Sequence, residues 1–154
     1  MGVMLAVIEI SKLALGFIAG VELVTLLFII YTLFFEKKMI YFLSTFILLE
    51  GILNGFNIWW LAYIYIWSLL VLVTYLFKEY KKYVFFWSLL SGIFGLMFGV
   101  LYCPIYFITN GINTGIAWWI AGLPTDLIHG ISNFVLCVIL FRPLNNILGK
   151  LRKL

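Results

Sequence analysis

The chain has 154 residues, of which 66% are hydrophobic and only 10% are charged, and its mean hydropathy is +1.19. Soluble domains carry about 25% charged residues, so this composition excludes a soluble globular protein and predicts an integral membrane protein. The net charge of +4 comes from basic turns between apolar segments, and it gives no reason to expect nucleic acid as a partner. Apolar runs such as residues 23–35 do not alternate with polar residues, which favours helices over a transmembrane barrel.

Six apolar segments follow one another along the chain, and a helix needs about 20 apolar residues to cross a bilayer. The predicted segments are residues 2–18, 22–35, 39–53, 59–77, 83–102 and 124–141. We therefore predict an all-α fold, in which residues 1–154 form one integral membrane domain with a bundle of six transmembrane helices. The uncharged connection 103–123 contains Pro104, Gly111 and Gly115, and it is predicted to form a re-entrant or lid-like loop.

The first segment carries two charges, Glu9 and Lys12, which lie one helical turn apart, where an ion pair lowers the cost of burying them. An alternative keeps residues 13–35 as one longer helix and places residues 1–12 at the membrane interface. That alternative has five crossings and an external N-terminus.

Basic residues indicate the orientation of the chain. Lysine and arginine follow the second, fourth and sixth segments, whereas the turns after the other three segments carry neither. This is the positive-inside pattern, and it predicts that both termini of a multi-pass plasma-membrane protein are cytoplasmic. No basic region precedes the first apolar run, so no cleaved signal peptide is expected. Cys103 and Cys137 lie far apart in apolar sequence and are predicted to be packing residues.

The last apolar segment contains polar residues that share one helical face. Successive residues of a helix turn by about 100°, so Asp126, His129, Gly130, Asn133 and Cys137 fall on one stripe. The opposite face is apolar, and we predict that it faces lipid while the stripe faces the bundle. Each polar residue alone could be only a helix cap or an interhelical hydrogen bond. Together they predict one wall of a ligand site.

Other polar and aromatic side chains gather at the same predicted outer end as Asp126 and His129. Glu22 begins the second segment there. The further candidate site residues are Glu50, Asn54, Asn57, Trp59, Trp60, Tyr63, Trp118 and Trp119. Tryptophan and tyrosine are also typical of the interfacial aromatic belt. Beside carboxylates, amides and an imidazole, however, these rings predict a pocket for a flat, nitrogen-bearing small molecule.

No catalytic arrangement is evident in the sequence. The chain has a single histidine and no phosphate-binding loop, so we expect no enzyme activity, no cofactor and no metal. Two alternative classes stay open. One is an intramembrane enzyme using Glu50, Asp126 and His129, and the other is a structural subunit of another membrane complex.

Three stretches resemble the membrane-embedded substrate-binding subunit, or S component, of energy-coupling factor (ECF) vitamin transporters. They are "ELVTLLFIIYTLFFEKK" at 22–38, "EGILNGFNIWWLAYIYIW" at 50–67 and "WWIAGLPTDLIHGISNFVLCVILFRPL" at 118–144. The resemblance implies a prokaryotic plasma-membrane protein that captures a vitamin-like molecule from outside. It also implies a transmembrane coupling (T) subunit and two cytoplasmic ATPases as partners. S components commonly dock through small residues of the first helix. The corresponding candidates in this sequence are Gly2, Ala6, Gly16 and Gly20.

Overall fold

The computed structural model describes residues 1–151, which are mostly helical and contain no strand. The helices are α1 (Gly2–Leu15), α2 (Val24–Phe35), α3 (Met39–Asn54), α4 (Ile58–Leu76), α5 (Val84–Leu96), α6 (Phe98–Asn110) and α7 (Ile112–Leu151). The predicted all-α class is confirmed. Among the described residues, three helical stretches are long and apolar enough to cross a membrane: Ile58–Leu76, Val84–Asn110 and Ile112–Lys150.

The N-terminal third differs from the sequence-based prediction. α1 ends at Leu15, and residues 16–23 form an irregular loop in which Gly20 has φ of 76°. That left-handed conformation suits glycine and cannot continue a right-handed helix. The alternative of one continuous helix over residues 13–35 is therefore wrong. α1 has 14 residues, or about 21 Å at 1.5 Å per residue, which is short of a bilayer core of about 30 Å.

The largest correction concerns the connection before the last predicted segment. Residues 103–123 do not form a loop, because α6 runs to Asn110 and α7 begins at Ile112, directly after a turn at Gly111 with φ of 84°. α7 then continues for 40 residues through Pro124 and Pro143. A proline inside a helix removes one backbone hydrogen bond, but leaving a whole helical turn unpaired in an apolar medium would cost more.

The core lies around α2, whose residues 24–32 are all buried. The ring of Phe28 contacts Phe46 of α3 and Trp67 of α4, with centroids 4.9 Å and 4.7 Å apart. Such edge-on and tilted contacts are the favoured arrangements of aromatic rings. Cys103 and Cys137 are free and buried, as expected of packing residues.

The basic turns lie together at one end of the bundle. Short 3-10 turns at Glu36–Lys38 and Lys78–Tyr80 link α2 to α3 and α4 to α5. The ammonium of Lys78 donates a hydrogen bond to Glu36 at 3.0 Å, which joins the two turns directly. The loop 16–23, the start of α4 and the α6–α7 turn are at the opposite end.

α7 packs against α5 and the start of α6 along a line of glycines, which we call the glycine seam: Gly92, Gly95, Gly99 and Gly130. A Cβ built at Gly95 would lie 2.8 Å from the backbone oxygen of His129, closer than real Cβ atoms approach. Glycine is thus required for the observed distance between these helices. The close packing fixes the polar face of α7 against α5 and the start of α6.

Candidate functional site

The burial pattern of α7 agrees with the predicted stripe. Asp126, His129, Gly130, Asn133 and Cys137 are all buried. Their neighbours on the apolar face are exposed, as a lipid-facing surface would be: Leu127, Ile128, Ile131, Val135, Val138 and Ile139. The helical periodicity of residues 124–141 therefore placed the polar residues on the correct face.

A cavity of about 790 Å³ opens between the loop 16–23, α4, α6 and α7. Its volume is within the range of about 300–1,000 Å³ that is usual for small-molecule sites. We call it the main cavity. Its lining residues are Lys12, Gly16, Ile18, Ala19, Gly20, Val21, Glu22, Val24, Trp59, Tyr63, Trp67, Phe98, Gly99, Tyr102, Tyr106, Trp118, Ala121, Gly122, Thr125, Asp126 and His129.

Five of the predicted site residues line the main cavity: Trp59, Tyr63, Trp118, Asp126 and His129. The remaining six are absent from its wall. Trp60 donates its Nε1 hydrogen to the carbonyl oxygen of Ile47 at 2.7 Å and packs on Phe56. Asn133 is 2% exposed and lies deeper in the bundle, and Trp119 is half-buried outside the cavity. Asn54 and Asn57 are exposed at the α3–α4 turn.

Glu50 belongs to an ion-pair cluster behind the cavity wall. Its carboxylate pairs with the ammonium of Lys12, and its Oε2 accepts a hydrogen bond from Asn54 at 3.0 Å. Lys12 also lies 3.5 Å from Glu9. Glu50 therefore compensates a charge of α1, and it does not converge with Asp126 and His129 as the enzyme alternative requires. Among residues 1–151, no group of three or more His, Cys, Asp or Glu side chains could hold a metal ion.

The imidazole of His129 connects α7 to the loop 16–23. Its Nε2 lies 3.1 Å from Oε1 of Glu22, while Oε2 of Glu22 accepts the backbone N–H of Thr25 at 2.9 Å. A second link comes from Ser132, whose hydroxyl donates to the carbonyl oxygen of Gly20 at 2.7 Å. Ser132, which the helical periodicity places off the polar stripe, thus helps to hold this loop over the cavity.

Asp126 lies at the N-terminus of α6. Its Oδ1 accepts the backbone N–H of Gly99 at 3.2 Å, in the first turn of that helix. A carboxylate is favoured there because unpaired N–H groups and the helix dipole carry partial positive charge. Its second oxygen, Oδ2, is buried and has no hydrogen-bond partner. Asp126 as a whole is 7% exposed.

Two aromatic stripes form much of the cavity wall. Trp59, Tyr63 and Trp67 recur every fourth residue on α4, and the same spacing relates Phe98, Tyr102 and Tyr106 on α6. The stripes face each other, with the Tyr63 and Tyr102 centroids 6.4 Å apart and those of Trp67 and Phe98 6.2 Å apart.

Trp118 of α7 extends this aromatic wall by stacking on Tyr106 at 4.5 Å. The α6 stripe was missed from the sequence, although its i, i+4, i+8 spacing could have revealed it. Glu22 was predicted to lie at the same end as Asp126 and His129 but was not named as a site residue, and Lys12 was assigned only to a pair with Glu9, so neither was predicted to line the cavity.

The predicted docking residues do not share one helical face. Gly2 has nothing near its Cα that a side chain would meet, and Ala6 is exposed. Gly16 and Gly20, however, lie beyond the end of α1 and line the main cavity. A Cβ at Gly20 would lie 2.9 Å from the backbone oxygen of Thr125, so this glycine packs against α7.

The described residues thus form a helical protein with three stretches long and apolar enough to cross a membrane and with an aromatic, partly charged cavity. No protein-family model, curated protein or solved structure matches the chain. The function is therefore argued from the cavity itself.

Proposed function

We propose that the chain is the membrane-embedded substrate-binding subunit of an ECF-type uptake transporter, which captures a small vitamin-like molecule in the main cavity. The observation that carries this proposal is the cavity of about 790 Å³ at the end of the bundle opposite the basic turns. By the positive-inside pattern, that end is external, where a captured solute would arrive.

The cavity wall has the character of a binding site. Seven of its 21 lining residues are Trp, Tyr or Phe, and a few polar groups converge on it from the loop 16–23 and α7. Small-molecule sites commonly combine a largely apolar wall with a few fixed polar groups. Two bonds tie the loop to α7, from Glu22 to His129 and from Ser132 to Gly20, so the site is held in shape by the chain itself.

The proposal also assigns partners. The sequence carries no nucleotide-binding motif, so uphill uptake needs a transmembrane coupling subunit and two cytoplasmic ATPases. The isolated chain should bind its solute but should not concentrate it.

Two substitutions on α7 test whether the cavity holds the solute. Gly122 lines the cavity and Gly149 does not, yet a Cβ at either position meets no atom within 4 Å. Gly122→Phe should therefore fill the cavity without straining the helix, and Gly149→Phe is the matched control. We expect heat denaturation of the purified wild-type chain and of Gly149→Phe to release one small molecule that mass spectrometry detects. Gly122→Phe should release none and should melt like the solute-free wild type.

Transport provides the second readout. Vesicles with the chain, the coupling subunit and both ATPases should accumulate that molecule only with ATP. Accumulation by the chain alone would reject the proposal, as would equal solute release from Gly122→Phe and the wild type.

A further inference from the structure

The carboxylates that line the main cavity differ in how well they are paired. Glu22 uses both oxygens, one toward His129 and one toward the Thr25 backbone. Asp126 uses one oxygen, toward the Gly99 backbone, and leaves Oδ2 buried without a partner. Leaving a buried charged oxygen unpaired is costly, so this position calls for a hydrogen-bond donor or a positive charge.

No side chain in the described part of the chain supplies that charge. Lys12, the one lysine or arginine among the residues that line the cavity, is paired with Glu50 and Glu9. His129 is paired with Glu22. The carboxylates at this end of the bundle thus outnumber the cationic side chains. Among the described residues, Asp126 is the carboxylate of the cavity that forms no ion pair.

The aromatic wall suits the same kind of ligand. Cations gain from the faces of tryptophan, tyrosine and phenylalanine within about 6 Å, and flat rings gain from stacking on them. Trp118, Tyr106 and Tyr102 stand in contact with one another on the same cavity wall as Asp126. Rotation about the last side-chain bond of an aspartate is soft, so a donor entering the cavity can engage either oxygen.

We propose that the main cavity takes an organic cation with an aromatic ring, whose positive group pairs with the carboxylate of Asp126 while its ring packs on the wall formed by Tyr102, Tyr106 and Trp118. This inference rests on the proposed function, because it names the class of molecule that the same cavity binds. It also gives Asp126 two tasks: to hold the start of α6 and to select positive charge.

Asp126→Asn separates these two tasks. The amide oxygen can still accept the Gly99 N–H, but the side chain no longer carries a negative charge. The matched control is Leu127→Ala, since Leu127 is the next residue, is exposed and faces away from the cavity. Asp126→Glu keeps the charge and should restore part of the affinity.

The experiment uses three water-soluble probes of similar size: the cation phenyltrimethylammonium, neutral benzamide and the anion benzoate. Each is titrated onto the solute-free full chain in a non-ionic detergent, and binding is followed by quenching of tryptophan fluorescence. We expect saturable quenching by phenyltrimethylammonium and at least tenfold weaker binding of the other two. Asp126→Asn should weaken cation binding at least tenfold, while Leu127→Ala should bind like the wild type.

The outcomes distinguish the two proposals. Cation binding that Gly122→Phe abolishes but Asp126→Asn leaves unchanged would overturn the charge selection and leave the cavity as the solute site. Binding of benzoate as tight as that of the cation would do the same. If no probe binds, the cation inference is wrong, and the solute-release experiment still decides the proposed function. Cation binding that Gly122→Phe does not weaken would overturn both proposals.

Discussion

Small residues occur in two regions of this chain, and the structure uses them in opposite ways. In the glycine seam, the missing side chains bring the backbone of α5 against that of α7. On α1, Gly2 and Ala6 are exposed, and within residues 1–151 no atom lies within 4 Å of a Cβ built at Gly2. Small residues therefore indicate that a helix can be approached closely, but not by which helix. The glycine seam is filled by helices of this chain, whereas Gly2 and Ala6 lie on an exposed surface.

The largest effect is expected where the seam brings backbone closest to backbone. Gly95→Leu would force side-chain atoms into the backbone of α7 at His129, whose oxygen already lies 2.8 Å from the position of a Cβ. Overpacking of this kind costs about 1–3 kcal/mol and sometimes more, and backbone atoms cannot rotate away. Thermal unfolding in detergent should show a clear drop in melting temperature. Gly149→Leu, where a Cβ meets nothing, is the control, and equal melting temperatures for both variants would refute the assignment of the seam.

The next prediction concerns the end of the seam that borders the cavity. A Cβ at Gly99 would collide with the carboxylate of Asp126. In Gly99→Ala the carboxylate must turn away and give up the N–H that it accepts, at a cost of about 1–3 kcal/mol. We expect a lower melting temperature together with weaker cation binding. Gly122→Ala, also on the cavity wall but with space for a Cβ, should change the stability little. If Gly99→Ala keeps the wild-type melting temperature and cation affinity, the position of the Asp126 carboxylate does not depend on its bond to the start of α6.

Substitution of Gly20 tests whether α7 holds the loop 16–23 in place, as it holds α5 along the glycine seam. Its φ of 76° is strained for alanine by about 1–2 kcal/mol, and a Cβ would also approach the Thr125 oxygen. Gly20→Ala should therefore speed hydrogen exchange of the amides in residues 16–23. Ser132→Ala removes the hydroxyl bonds to the Gly20 and His129 carbonyls but leaves the backbone of Gly20 unstrained, so it should do so to a lesser degree. If exchange stays slow in both variants, the loop is not held by α7.

The smallest effect on the fold is expected on α1. Ala6 is exposed, so Ala6→Leu should change the stability of the isolated chain by less than about 0.5 kcal/mol and leave cavity binding intact. Assembly with the coupling subunit and ATP-driven uptake should nevertheless be lost, because leucine would prevent close approach of a partner helix. Val3→Leu, at another exposed position of α1, should assemble normally. Normal assembly of Ala6→Leu would place the docking surface elsewhere.

The sequence predicted the regular parts of the fold better than its interruptions. α3 and α4 lie within one residue of their predicted bounds, because turn residues and charges limit both helices. The buried stripe of α7 was also predicted correctly, since a helical period needs only the sequence. α7 itself was predicted to begin at Pro124, because proline is favoured in a first helical turn, yet the helix begins twelve residues earlier.

The cavity could be predicted only in part. Asp126 and His129 were found because they share a face, but the partner of His129 lies 107 residues earlier, at Glu22. Asn133 was placed on the correct face but does not line the cavity, because periodicity fixes an angle and says nothing of how far a cavity extends along the helix. Part of the glycine seam could have been predicted from the sequence. Ser91, Gly95 and Gly99 recur at intervals of four, a spacing that permits close helix packing.

The pairing of Lys12 with Glu50 has a consequence for how the protein is made. The two residues are 38 positions apart, so α1 leaves the ribosome well before its counter-charge in α3 exists. Until then Lys12 has only Glu9, 3.5 Å away on α1, as a counter-charge, and even a paired charge is expensive in hydrocarbon; α1 is also short. We therefore expect that α1 lies at the membrane surface during synthesis and inserts into its final position only after α3 has emerged. A nascent chain halted before residue 50 should accordingly leave α1 extractable by alkali, whereas a chain released after α4 should not.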